Sequence, residues 1–123
     1  MNRDMDVIRK ILIASTESNV PVKSVEGVPD NVFAFNAALL EEAGLARCLV
    51  HIDSDRGTEL PDFAIVWRLT WQGFEFAQSI ADDTIWNKAK EHIIKPTVSW
   101  SFGLLLEYLR QEAATKLGIS NGS

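Results

Sequence analysis

Two runs rich in β-branched and aromatic residues, Leu45–Ile52 and Phe63–Leu69, flank the polar segment Asp53–Asp62, and this arrangement restricts the fold more than any other feature. Runs of that composition are expected to be strands, and Gly57 with Pro61 in the polar segment makes them a hairpin with a long tip. Helix punctuation stands immediately outside. Upstream, Asp30 is placed to cap a helix running to Ala43, Gly44 suits the left-handed position beyond its end, and Leu45 can fold back over the last turn. Downstream, Thr70 opens another helix as N-cap, with Phe74, Ala77 and Ile80 or Ala81 facing inward.

The flanks add further helices. Met5, Ile8, Ile11, Leu12 and Ser15 share one side at ~100° per residue, which predicts a helix from Asp4 to about Glu17 with Asn2 or Asp4 as its cap. Asn19–Pro29 alternates valines with Pro21, Gly27 and Pro29 and is expected to hold one short strand inside loops. Asp82, Asp83 and Thr84 offer a fresh cap for a helix through Trp86, Ala89 and Ile93, ended by Pro96. A last helix is expected from Ser99 to about Leu117, stopped by Gly118. The class is α+β. At 123 residues a single domain is the expectation, with residues 1–95 as its core region and 96–123 as a C-terminal helix and disordered tail. The stretch Thr97–Leu106 is among the longest without a charge, about half of the ~20 apolar residues that span a bilayer. With no apolar leader at the start and one cysteine, Cys48, the expected compartment is the cytoplasm and no membrane is expected as a partner.

The formal charge of −5 is spread so that residues 29–45 carry Asp30, Glu41 and Glu42 without a base. A protein held to DNA by neutralising phosphates gathers Lys and Arg on one element, and no segment here is basic. Catalytic chemistry finds no foothold either. Asp53-Ser54-Asp55-Arg56-Gly57 puts glycine one place too early for a calcium loop. Cys48 and His51, an odd number apart on a strand, point to opposite faces and do not share a metal. No nucleophile elbow, phosphate loop or dinucleotide fingerprint occurs. No enzyme activity, cofactor, metal or small-molecule ligand is therefore expected. Trp67, Trp71, Trp86 and Trp100 are expected to complete the core.

LLEEAGL running into the hairpin and RLTWQG running out of it resemble the winged-helix superfamily. More closely, RDMDVIRKIL, LLEEAGL and RLTWQGFEFAQSIADDTIWNKAK resemble a family of small bacterial and prophage-encoded proteins of unknown function, over most of residues 3–95. The resemblance implies a winged-helix-like domain with a small antiparallel sheet (wing hairpin plus one short strand), extra C-terminal helices and a phage or prophage origin. It carries over no catalytic residue. One departure is plain: a helix-turn-helix needs two consecutive helices before the wing, and only one capped helix lies between Glu17 and Gly44.

The helix from Asp30 is expected to bury Val32, Phe35, Asn36, Leu39 and Ala43. That leaves Ala34, Ala37 and Ala38 with Glu41 on the opposite side, too small to read base edges but suited to close approach of another helix, either one of the chain's own last two or one from a partner protein. In the last helix, Phe102, Leu105, Leu106, Leu109 and Ala113 form one apolar face, and Trp100, Leu104 and Tyr108 form a second stripe. Two apolar faces on one helix mean either a sandwich between layers of the same chain or a self-association interface, and the resemblance to winged-helix proteins, where an added C-terminal helix often mediates dimerisation, implies a homodimer. These residues make a non-enzymatic protein acting through protein–protein contact the first expectation. The alternative is a DNA-binding transcriptional regulator using Arg47, Arg56 and Arg68 on the wing, with the acidic charge and Asp53, Asp55, Glu59 and Asp62 opposing it.

Overall fold

The computed structural model describes residues 1–95 and 101–118, and among them are five α-helices and one two-stranded antiparallel sheet, an α+β fold. The chain forms two compact units, Met1–Ala77 and Gln78–Ser123. No described helix is long and apolar enough to cross a membrane.

In the first unit, α1 (Met5–Glu17) starts as its cap dictates: the Asp4 carboxylate accepts from the N–H groups of Asp6 and Val7 at 3.0 and 3.2 Å. It buries Val7, Ile8, Ile11 and Leu12, each contributing about 1.5–3 kcal/mol of hydrophobic stabilisation. The second helix, α2 (Asp30–Glu42), begins differently from expectation. Pro29 occupies the cap position without a side-chain bond and Asp30 is the first helical residue, where its charge meets the positive end of the helix dipole. Its end is as expected. Gly44 has φ 76°, the Leu45 N–H donates to the Leu40 carbonyl at 2.9 Å, and the Gly44 N–H donates to the Glu41 carbonyl at 3.0 Å, a Schellman turn.

Strands β1 (Ala46–His51) and β2 (Phe63–Leu69) form the predicted hairpin, whose tip holds a 3₁₀ turn at Ser54–Arg56. The expected short strand is present as one bridge: Val22 and Val66 exchange backbone bonds of 2.9 and 2.8 Å, so β2 is flanked on both sides. Residues 18–29 hold turns and this bridge but no helix.

The buried face of α2 is turned by about one residue step, ~100°, from the expected one. Phe33, Ala34, Asn36, Ala37 and Leu40 are buried, whereas Val32, Phe35 and Leu39 are half-buried and Ala43 is exposed. From Val32 to Leu40 only Asn36 is polar, so periodicity leaves the phase open. The strands settle it, because alanines let α2 lie close against the sheet. Asn36 is wholly buried yet satisfied: its Oδ1 accepts from the Asp4 N–H at 3.0 Å and its Nδ2 donates to the Val32 carbonyl at 2.9 Å.

Thr70 joins two helices. Its hydroxyl donates to the Gly44 carbonyl at 2.6 Å and accepts from the Gly73 N–H at 3.1 Å, opening α3 (Trp71–Ile80) against the turn that ends α2. Gly73 is required there, since a Cβ would lie 1.9 Å from the Leu45 carbonyl oxygen. This contact fixes the phase of α3. Gly73, Phe76, Ala77 and Ile80 fall on one face at helical spacing, so Phe76 is buried and Phe74, expected inside, is exposed.

In the second unit, α4 (Asp83–Ala89) is capped by Asp82, which accepts from the Ile85 N–H at 3.0 Å, and it continues as a π turn over Lys90–Ile94. The last helix, α5 (Phe102–Lys116), is capped by Ser101, and Gly118 follows it at φ 76°. Ile85, Trp86 and Ala89 of α4 and Leu105 and Leu109 of α5 are buried. Lys88 pairs with Glu112 at 3.3 Å, and Lys116 contacts Asp82. Pro96, Ser99 and Trp100 lie outside the described residues.

Candidate functional site

The outer face of the hairpin is set by a break in its ladder. Arg47 stands opposite Arg68 and Cys48 opposite Val66, so Trp67 is an extra residue on β2, a β-bulge. Before it, Ala64 and Val66 alternate inward; after it, Leu69 is the next buried residue, and Trp67 and Arg68 are exposed in succession. On the partner strand beside the bulge, the Cys48 N–H donates to the carboxylate of Glu41, which reaches over from α2, at 2.6 Å. The Cys48 thiol, half-buried and 3.5 Å from the Ala37 carbonyl, is pushed up to about 12 by desolvation and then by the Glu41 charge, and is accordingly an unreactive thiol at neutral pH.

Arg47 and Arg68 face each other directly across the strands, an arrangement of like charges that destabilises a free sheet. The Arg68 guanidinium donates through Nη1 to the Leu69 carbonyl at 3.1 Å, and among the described residues neither arginine has a carboxylate partner. Trp67 is 51% exposed and Trp71, at the start of α3, is 76% exposed with its indole N–H on Glu75. The expectation that the tryptophans complete the core therefore holds for Trp86 and is corrected for these two. The signal was present in Val66-Trp67-Arg68-Leu69: two inward aliphatics three apart cannot both fit a period of two without a bulge.

Beside this face, a cleft of about 170 Å³ lies among Val20, Pro21, Trp67, Arg68 and Phe74, with Ser15 also in its lining. The Ser15 hydroxyl is buried with no hydrogen-bond partner among the described residues. A broader groove of about 700 Å³ runs between α1 and Ser24–Gly27, but its charged lining, Lys10, Glu17 and Glu26, is of mixed sign and converges on no point.

The other expected site residues are distributed as follows. Ala34 and Ala37 are 0% exposed and Ala38 is half-buried, which corrects the idea that they form a docking strip: α2 uses that side to pack within its own unit. Leu104 is 49% exposed, whereas Tyr108 is half-buried with its ring 6.0 Å from that of His92. Desolvation, and then the Glu112 carboxylate, hold the Tyr108 hydroxyl above its ordinary value. Arg56 belongs to the turn at the hairpin tip, at the far end of the strands from the Arg47–Arg68 pair, and its side chain is outside the described part.

The fold and this face together define a small α+β chain that presents exposed aromatics beside an arginine pair. Residues 2–99 match the family described as "Hypothetical protein (DUF2513)", and the chain belongs to that family. It is also similar to an uncharacterized protein of Haemophilus influenzae, 29% identical over 121 residues that cover 94% of each chain. No solved structure matches it.

Proposed function

We propose that this chain is a non-enzymatic, winged-helix-like protein-binding module of the cytoplasm, of phage or prophage origin. The observation that carries it is the exposure of two tryptophans, Trp67 at the bulge beside the Arg47–Arg68 pair and Trp71 at the start of α3. Tryptophan and arginine dominate the energetics of protein interfaces, and exposing two large indoles in a small unit has no benefit to folding. The phage or prophage origin rests on the resemblance of RDMDVIRKIL, LLEEAGL and RLTWQGFEFAQSIADDTIWNKAK, and the absence of catalytic motifs favours binding over chemistry. A second copy is an eligible partner through exposed Phe102 and Leu104 on α5.

The test is a photo-crosslinking amino acid placed at Trp71 in the native cell, with Glu42 as a control position. Protein adducts specific to the Trp71 position are expected; none, or adducts to nucleic acid alone, would overturn the proposal. A specific observation favours one other reading, a DNA-binding regulator: the hairpin brings Arg47 and Arg68 together. That reading requires duplex binding that weakens steeply with salt, by about one power of salt concentration for each phosphate contacted.

A further inference from the structure

We infer that the cleft between Val20–Pro21, Trp67 and Phe74 receives one bulky apolar side chain from an acidic segment of a partner protein, whose carboxylates pair with Arg47 and Arg68. This deepens the protein-binding reading and rests on it.

Size selects the kind of occupant. Cofactor and small-molecule sites enclose ~300–1,000 Å³, and a cleft of about 170 Å³ is below that range but adequate for a single side chain. Most of its walls favour an apolar one: Val22, Val66 and Leu69 are buried behind it and Val20, Trp67 and Phe74 stand exposed around it, while Ser15, Ser18 and Asn19 add polar groups that an indole N–H can meet. Charge selects what lies alongside. Arg68 is part of the lining and Arg47, outside the lining, is its cross-strand neighbour, so two like charges stand opposite one another at this side of the cleft, an unfavourable pairing that an anion would relieve. A carboxylate fits a guanidinium through two parallel hydrogen bonds, and a segment carrying several satisfies both arginines.

Length separates an acidic peptide from duplex DNA. The Arg47–Arg68 pair is four strand positions from the His51–Phe63 pair at the tip, about 13 Å at ~3.3 Å per residue. That exceeds the ~8 Å screening length at physiological salt, so a short segment at the arginines scarcely senses Asp53, Asp55 and Glu59. A duplex, with a charge every ~1.7 Å along its axis, would extend over those acids as well.

The experiment is an amide chemical-shift titration of the full chain with the peptide Glu-Asp-Glu-Trp-Glu-Asp, the same peptide with Ala for Trp, a Lys-for-acid analogue, and a short DNA duplex. The tryptophan peptide is expected to shift Val20, Val22, Trp67, Arg68 and Phe74. Replacing its Trp by Ala, or using Arg68→Glu, should weaken binding about tenfold or more, and the basic analogue should not bind. Spectra of Arg68→Glu unchanged outside the cleft verify that the fold survives, and Arg47→Glu serves where they are not. The inference is overturned if the peptide leaves these amides unmoved, if the Ala peptide binds equally well, if both arginine variants bind unchanged, or if the duplex binds this face more tightly. Protein adducts at Trp71 without peptide binding would sink this inference alone; absence of both would sink the protein-binding reading too.

Discussion

Gly73 and Cys48 show how a single position is held by its surroundings. Adding one methyl at Gly73 brings a carbon against the Leu45 carbonyl, where backbone rather than a flexible side chain must give way. Gly73→Ala is expected to lower stability by about 3 kcal/mol, measured by urea unfolding, whereas Gly103→Ala, with only the Ser101 Oγ at 3.9 Å, should not. Cys48 makes a pH prediction whose sign follows from its raised value. Below pH 9 the thiol is protonated in folded and unfolded chains alike; between 9 and about 12 the unfolded chain ionises and the folded one resists. Stability is therefore expected to fall as pH rises through that window. Cys48→Ala should flatten this limb in unfolding curves taken from pH 8 to 11.

At the scale of elements, the connection from α2 through the hairpin to α3 depends on two backbone groups being satisfied by one hydroxyl. Thr70→Val keeps the shape of the side chain and leaves the Gly44 carbonyl and the Gly73 N–H without it, at an expected cost of about 2 kcal/mol. Gly44→Ala, forced to hold φ 76°, should cost about 1 kcal/mol by the same assay. The existence and order of elements were legible in the sequence because caps and stops are local: Asp4, Gly44, Thr70, Asp82 and Gly118 each act within a turn of their own position. Phase was not. In α2 nearly every residue is apolar, and in α3 the decisive contact is with a carbonyl at Leu45, far away in sequence. The same limit hid the candidate site. Arg47 and Arg68 could be placed on strands, but their meeting depends on register, and the exposure of Trp67 depends on a bulge.

For the whole molecule, the exposed indoles are expected to show in the optical behaviour. Trp67 and Trp71 should be quenched by iodide while Trp86 is protected, and the double variant Trp67→Phe/Trp71→Phe should lower the iodide-quenchable emission with little change in unfolding midpoint. A loss of stability instead would mean that these rings support the fold. Each unit has its own interior, the first around Ile11, Phe33, Leu40 and Val66, the second around Trp86, Leu105 and Leu109. The Thr70 connection has one further consequence. LLEEAGL and RLTWQG, far apart in the chain, turn out to be the two halves of a single corner, with Gly44 and Leu45 on one side and Thr70 and Gly73 on the other. Chains that carry both sequences are expected to bend in the same way. Whether they share an occupation should be judged at Val20, Arg47, Trp67, Arg68 and Phe74, where a substitution leaves the corner intact and changes what can be grasped.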